Sequence, residues 1–246
     1  MPTDHLTRRR ILASGTALSS GIALLSAKAQ PFTTYPNIPT DQADRPVPAD
    51  PLQGYLFFTP TEALFVEAAV SRLIPKDGLG PGALECGVAV FIDRQLAGPY
   101  GQGDHFYLKG PSPNGEATQG WQMPKPADVY RAAITEVNRY TNDAHGGDFA
   151  RLAVDRQDEI LKSLESGSAK LKGGIDSKAF FTLLLQNTME GFFADPLYGG
   201  NREMAGWKLI GFPGARYNNR PFVTQHGQAY PLPPVSLNGR PDWTRS

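Results

Sequence analysis

Proline and glycine confine the packable part of this chain to its middle. Residues 30–57 carry six prolines and little apolar periodicity, and residues 216–246 carry another five prolines among glycines and asparagines. Segments of this composition bury too little apolar surface to order themselves, so we expect irregular arms at both ends. Between the arms, residues 58–215 show apolar patterns with helical spacing. The sequence therefore predicts a mainly α, compact helical domain with long irregular Pro/Gly-rich arms.

The first helix is marked by its capping residues. Thr59 is a predicted N-cap, Pro60 follows at the first helical position, and Glu62 completes a capping box. Apolar residues cover most of the circumference of this helix, so it is expected to be largely buried. Pro75 ends it after Ile74, because proline cannot continue a helix.

Four more segments have helical periodicity. They are residues 83–96, a helix from Pro126, a helix capped by Asp155, and a helix from Asp176 or Ser177 to about Phe193. The last of these is the most apolar and is predicted to be the central core helix. Its polar residues recur at every fourth position, and such a stripe faces either solvent or a partner. The stripe consists of Thr182, Gln186 and Glu190.

The first 29 residues have the pattern of an export signal. Arg8 and Arg9 belong to a twin-arginine pattern, which is followed by a mildly apolar run over residues 11–25. This run is too short and too polar for a membrane span, which needs about 20 mostly apolar residues. Residues 27–29 form an A-x-A motif, so we expect cleavage after Ala29 and twin-arginine export to the periplasm. The alternative is an uncut N-terminal anchor helix.

Composition and motifs exclude several classes of function. The formal net charge at pH 7 is zero, so nothing supports nucleic-acid binding. The run from Gly101 to Phe106 begins like a dinucleotide fingerprint but lacks its third glycine and its βαβ context. Metal-ligand spacing and a nucleophile elbow are also missing from the sequence. We therefore expect no catalytic, metal-binding or cofactor-binding residues on this chain, and any flavin must lie on another chain.

Cys86 is the single cysteine of the chain. One cysteine excludes a C-x-x-C-H haem site and an internal disulfide. A lone thiol among apolar neighbours in a helix is typical of a small buried hydrophobe. The alternative is a disulfide from Cys86 to a partner subunit in the oxidising periplasm.

The long loop over residues 98–126 is a candidate contact surface. Loops of this length without structure of their own are usually functional or interfacial. Aromatic side chains, which are enriched at interfaces, are frequent in it. They are Tyr100, His105, Phe106, Tyr107 and Trp121.

The run after the predicted core helix, residues 192–215, combines turn residues with aromatic ones. Asp195-Pro196 ends the helix, because proline disfavours helical geometry in the residue before it. Gly199 and Gly200 permit positive φ, so the backbone can turn successive N–H groups toward one point. One interpretation is a two-glycine turn with Trp207 in the core. The other is an anion nest or a docking surface for a partner.

Two blocks carry a resemblance to a known family. The first is D-P-L-Y-G-G-N over residues 195–201, followed by Gly206-Trp207 and by I-G-F-P-G over residues 210–214. The second is F-T-P-T-E-A over residues 58–63, followed by L-I-P-K-D over residues 73–77. In this order the blocks resemble the gluconate 2-dehydrogenase subunit 3 family.

The resemblance implies the small, cofactor-free subunit of a membrane-bound, flavin-dependent dehydrogenase at the periplasmic side of the inner membrane, with gluconate as the first expected substrate. It implies two partners, an FAD-binding large subunit of the GMC type and a multihaem cytochrome c, so FAD and haem c would lie on those chains. The small subunit would support folding, export and assembly of the large subunit, which travels on the twin-arginine peptide of the small one.

The same resemblance places the subunit interface in the run after the core helix. The residues expected there are Asp195, Tyr198, Gly199, Gly200, Asn201, Arg202 and Trp207. Three alternatives remain at this point. They are the small subunit of a related fructose, sorbitol, glucose or 2-ketogluconate dehydrogenase, a free-standing helical periplasmic enzyme, and a scaffold module.

Overall fold

Seven α-helices account for most of the chain that the computed structural model describes, which is residues 54–104, 124–216 and 218–237. In chain order they are α1 (Pro60–Leu73), α2 (Val88–Ala97), α3 (Pro99–Gln102), α4 (Pro126–His145), α5 (Val154–Glu165), α6 (Ser177–Phe193) and α7 (Ala205–Ile210). The 3₁₀ helices are Phe149–Arg151, Pro196–Tyr198, Arg202–Met204 and Arg220–Phe222. In the same ranges, β pairing is limited to two isolated bridges. The predicted mainly α fold is confirmed.

Helix α1 begins as its sequence predicts. The Thr59 side chain accepts the Glu62 N–H, and the Glu62 carboxylate accepts the Thr59 N–H at 2.8 Å. Arg131 of α4 binds the same carboxylate at 2.6 Å and lies over the Phe57 ring, 4.1 Å from its centroid. The N-terminus of α1 is therefore held to α4 as well as capped locally.

The core lies between α1 and α6, which contact each other and also α2, α4 and α5. An aromatic cluster fills its centre. The Phe65 ring lies 4.9 Å from Phe149 and 6.3 Å from Phe180, and Phe180 meets Tyr130 edge-on at 5.7 Å. Burial of each of these rings contributes roughly 1.5–3 kcal/mol. The prediction that the 177–193 helix is central is confirmed.

Two predicted helix starts are wrong. Helix α2 begins at Val88 rather than Ala83, because Gly87 has φ 76°, and a left-handed residue cannot continue into a right-handed helix. Cys86 consequently lies in a turn before α2 and not within a helix. Helix α5 has Ala153 as its N-cap residue, so Asp155 lies in the first turn and not at the cap. A carboxylate in that turn still favours the helix dipole.

The N-terminal arm is anchored where the described chain begins. The N–H groups of Leu56, Phe57 and Phe58 donate to the Asp93 carboxylate at 2.7, 2.9 and 2.8 Å. Asp93 lies in α2 and is 1% exposed. Because these bonds tie residues 56–58 to α2, the last part of the predicted 30–57 arm is attached to the helical body.

Part of the predicted C-terminal arm also returns to the body. Val235 pairs with Gly214 in a parallel bridge, and the side chains of Val235 and Ser236 are buried. The expectation that nothing in residues 216–246 packs is therefore wrong for this short stretch. Composition could not reveal the pairing, because its partner lies in the 195–214 run.

Several predictions concern residues outside the described ranges. They are those on Arg8, Arg9, Ala29, His105, Phe106, Tyr107 and Trp121.

Candidate functional site

Asp195 organises the run that follows α6. Its carboxylate accepts the Leu197 N–H at 3.0 Å and so caps the 3₁₀ helix Pro196–Tyr198. The same carboxylate accepts the Ser236 hydroxyl at 3.1 Å and the Leu237 N–H at 2.9 Å. One side chain thus joins the end of α6 to the returning C-terminal segment.

Two glycines allow the backbone to fold tightly against the end of α6. A Cβ atom at Gly200 would lie 2.2 Å from the Gly191 carbonyl oxygen, and one at Gly206 would lie 2.1 Å from the Phe192 carbonyl oxygen. No larger residue fits at either position without moving the backbone. The Gly199 N–H donates to the Pro196 carbonyl, so it is engaged within the turn and not aimed at an external anion.

Asn201 holds the next turn in an unusual conformation. Its amide donates to the Ala194 carbonyl at 2.8 Å, and its side-chain oxygen accepts the Gly206 N–H at 2.8 Å. Asn201, Glu203 and Met204 have φ values of 45°, 58° and 56°, which non-glycine residues rarely adopt. A cluster of this kind persists only where surrounding contacts over-determine the backbone, and such clusters concentrate at functional sites.

This strained turn contacts the segment that contains Cys86. The Arg202 N–H donates to the Cys86 carbonyl at 3.0 Å, and the Cys86 side chain is fully buried. Such burial is typical of a small hydrophobe. A disulfide to a partner would require this buried thiol to become accessible, and that disulfide stays a prediction.

Trp207 connects α7 to α6. Its indole N–H donates to the Phe193 carbonyl at 2.7 Å, and the residue is 5% exposed. The Phe212 ring meets it edge-on at 5.2 Å. The interpretation of Trp207 as a core residue is confirmed, and the aromatic pair fixes the chain beyond α7.

Large apolar side chains stand exposed on this framework. Leu197 and Leu237 flank the Asp195 carboxylate that binds both of their N–H groups, and Tyr198 follows Leu197. Phe212 and Ile210 lie on the stretch that leads into the Gly214–Val235 bridge. We call these five residues the apolar patch, and their exposed fractions run from 44% to 56%. Apolar surface held on a rigid frame is typical of a docking site.

A groove of about 490 Å³ borders the patch between α2 and the end of α6. Phe91 and Phe193 supply its aromatic surface, and Tyr198 and Asp195 form its edge toward the patch. Glu190, from the predicted polar stripe, also lines it. The stripe residues Thr182, Gln186 and Glu190 are exposed, and Gln186 donates to Glu190 at 2.8 Å. In the isolated chain, the polar stripe of α6 therefore faces solvent, as one of the two interpretations predicts.

Within the described ranges, the groups with a clearly shifted pKa are three tyrosines that are half-buried or buried. Burial, followed by the nearby Glu190 carboxylate, raises the pKa of Tyr100 to about 12. Burial also raises the pKa of Tyr130 well above its usual value, and burial with a hydrogen bond to Glu67 raises that of Tyr55. Each of these phenols therefore keeps its proton at neutral pH.

The described residues contain no group of three or more His, Cys, Asp or Glu side chains that could hold a metal ion. In the same part of the chain, each helix is either too short or too polar to cross a lipid bilayer.

The structure divides the seven predicted interface residues into two groups. Tyr198 and Arg202 are exposed, and Asp195 is half-buried. The buried members are Gly199, Gly200, Asn201 and Trp207. In the isolated chain these four lie beneath the surface and position its exposed neighbours. The interface itself stays a prediction.

Sequence reasoning missed three contributors to this region. Ser236 and Leu237 lie in the supposed arm, and Gly191 lies inside a helix. The apolar residues Val235 and Leu237, which directly follow a proline-rich stretch, were the available signal for the first two. A glycine within an otherwise apolar helix was the signal for the third, because such a glycine usually has a packing reason.

No curated protein and no solved structure matches the chain significantly. The family model described as "Gluconate 2-dehydrogenase subunit 3" matches residues 60–214. That interval runs from the first residue of α1 to the glycine paired with Val235, so it contains nearly all of both blocks of the resemblance. The chain therefore belongs to the gluconate 2-dehydrogenase subunit 3 family, and its role is that of a subunit within a multi-subunit dehydrogenase complex.

Proposed function

We propose that this chain is the non-catalytic small subunit of a membrane-bound, FAD-dependent gluconate 2-dehydrogenase at the periplasmic side of the inner membrane. It binds the flavin-bearing large subunit, and it supports folding, export and assembly of that subunit. A multihaem cytochrome c completes the complex. The observation that supports this proposal most directly is the apolar patch, which stands exposed on a rigid frame of buried contacts.

The buried contacts beneath the patch lower the conformational entropy that is lost on binding. Asn201, Trp207 and Asp195 fix the backbone beneath the patch through bonds of 2.7 to 3.1 Å. A surface that is already ordered loses little conformational freedom on association, so more of the apolar burial appears as affinity. The patch residues Tyr198 and Phe212 are aromatic, as anchor residues at interfaces often are.

Export is the second part of the proposal. The twin-arginine pattern at Arg8 and Arg9 would carry the folded small subunit together with its bound large subunit. In this scheme, binding at the patch precedes transport, so the patch and the signal act in sequence. Arg8→Lys combined with Arg9→Lys should then retain both proteins in the cytoplasm. Export of the flavoprotein in that double variant would contradict shared transport.

The interface is tested by charge substitution. Ile210→Asp combined with Leu197→Asp places two carboxylates on the patch, at positions 56% and 44% exposed. A tagged version of the full chain, purified from bacterial membranes, should lose the large yellow subunit and the c-type haem absorption that the unaltered chain retains. Leu79→Asp is the matched control, since Leu79 is 61% exposed in the loop between α1 and α2.

Two outcomes would contradict the proposal. One is co-purification of the flavoprotein with the double-Asp variant at the level of the control. The other is oxidation of gluconate, or a flavin spectrum, from the isolated chain. The substrate is tested separately, by assaying the purified complex with gluconate, 2-ketogluconate, glucose, fructose and sorbitol.

A further inference from the structure

The groove beside the apolar patch has a specific chemistry. Phe91 and Phe193 give it aromatic surface, while Glu190 and Asp195 are its charged residues. No cationic side chain belongs to its lining among the residues that the structure describes. A matching occupant would combine an aromatic ring with positive charge.

The C-terminal segment of the described chain ends beside this groove. Asp195 lines the groove and also accepts the Ser236 hydroxyl and the Leu237 N–H. Leu237, the last described residue, therefore stands at the edge of the groove. Trp243 follows six positions later, so an extended chain gives it a reach of about 20 Å.

The following residues, 238–246, have the required composition. They read N-G-R-P-D-W-T-R-S. Trp243 is the single aromatic residue among them, and Arg240 and Arg245 outnumber Asp242. The side chains of the segment thus carry one net positive charge and one large ring, which complement an aromatic groove lined by two carboxylates.

We propose that residues 238–246 dock into this groove, with the Trp243 ring against Phe91 and Phe193 and an arginine beside Glu190. Tethering makes weak contacts sufficient, because a short covalent link gives an effective concentration on the order of millimolar. An intrinsic dissociation constant of about 100 μM would then keep the groove roughly 90% occupied. This inference concerns the isolated chain and does not rest on the proposed function.

Fluorine NMR of the full chain carrying 5-fluorotryptophan tests the docking. The chain has three tryptophans, and Trp243→Phe identifies the resonance of interest. In the isolated protein this resonance should be displaced from its position in a free peptide of residues 238–246. Tyr198→Ala and Glu190→Gln should each move it toward the peptide position. Leu79→Ala and Glu165→Gln change exposed residues outside the groove and should leave it in place.

A Trp243 resonance at the peptide position in the unaltered chain overturns the proposal. A resonance that shifts only after a large subunit is added overturns it as well, since the groove would then belong to the partner. If Tyr198→Ala fails to fold, Gln95→Arg fills the groove from α2 instead and should release Trp243. A displaced resonance that responds to neither Gln95→Arg nor Glu190→Gln also contradicts docking in this groove.

Discussion

The Asp195 carboxylate binds the main-chain N–H of Leu237, 42 positions later in the chain, at 2.9 Å. Asp195 also caps the 3₁₀ helix that carries Leu197 and Tyr198. Asp195-Pro196 is an ordinary helix-terminating pair in the sequence. In the structure, its aspartate also joins two segments that are distant along the chain. Three residues of the apolar patch, Leu197, Tyr198 and Leu237, lie close together because both segments meet at this side chain.

Replacement of Asp195 tests the junction. Asp195→Ala removes three accepted hydrogen bonds, and we expect the free energy of unfolding to fall by about 1–3 kcal/mol, because water replaces part of what is lost at this half-buried site. Hydrogen exchange at the Leu237 amide should become faster. Asp143→Ala removes an exposed carboxylate from α4 and should cost no more than about 0.5 kcal/mol. Unchanged exchange at Leu237 would show that other contacts hold the segment.

The Asp93 carboxylate should be a larger determinant of stability. Asp93→Ala leaves three N–H groups without their acceptor at a buried site, and we expect a loss of about 2–4 kcal/mol. Asp93→Asn keeps one acceptor oxygen but points an amide donor at another donor, so its loss should be intermediate. Urea denaturation of both variants measures this order. Equal stability of Asp93→Ala and the unaltered chain would refute the role of Asp93 as an anchor for residues 56–58.

Gly206 should not tolerate even one added methyl group. In Gly206→Ala, the Cβ atom would meet the Phe192 carbonyl oxygen at 2.1 Å, so α6 and α7 must separate. Overpacking of this kind costs about 1–3 kcal/mol, and we expect the upper end because the obstacle is backbone. Gly78→Ala meets nothing within 4 Å and is the matched control. Thermal unfolding followed by circular dichroism compares the two, and similar melting temperatures would contradict the packing argument.

Stability should fall at alkaline pH because of the buried tyrosines. Burial raises the folded-state pKa of Tyr130 well above 10 and that of Tyr100 to about 12. Below about pH 9 both phenols are neutral in both states, and their contribution to stability is complete. Above pH 10 the unfolded chain loses protons that the folded chain retains, so the free energy of unfolding decreases by up to about 1.4 kcal/mol per pH unit for Tyr130.

Tyr130→Phe isolates that effect. The Tyr130 hydroxyl is buried and has no hydrogen-bond partner in the part of the chain that the structure describes. Its removal should therefore change stability little at pH 7 and make the alkaline decline shallower. Urea denaturation between pH 8 and pH 11 provides the measurement. Parallel declines in the two proteins would contradict the assignment to Tyr130.

Local rules predicted most of the helices. The capping box at Thr59 and Glu62 and the cap at Asp176 involve atoms within three residues of each other, so they can be read from sequence. The start of α2 was misjudged because apolar periodicity continues through Gly87. The left-handed φ of Gly87 ends that pattern, and the chain beside it contacts the Asn201–Met204 turn. Asp155 was misjudged because helix α5 begins one residue before it, at Val154.

The sequence located the candidate site along the chain, but it did not show which residues of the site are exposed. Family resemblance directed attention to residues 195–207, yet four of the seven expected interface residues are buried and act as frame. The exposed residues Ile210, Phe212 and Leu237 were not among those expected. Exposure is a property of the assembled surface, so no local pattern distinguishes Phe212, which is 45% exposed, from a core phenylalanine.

The sequence by itself determined the helical class, the caps of α1 and α6, and the family, because these depend on residue types at short, fixed spacings. Only the tertiary structure decided that Asp93 anchors the N-terminal arm and that Asp195 binds Leu237. Hydrogen bonds between residues 35 to 42 positions apart form only after the helices have brought their donors and acceptors together.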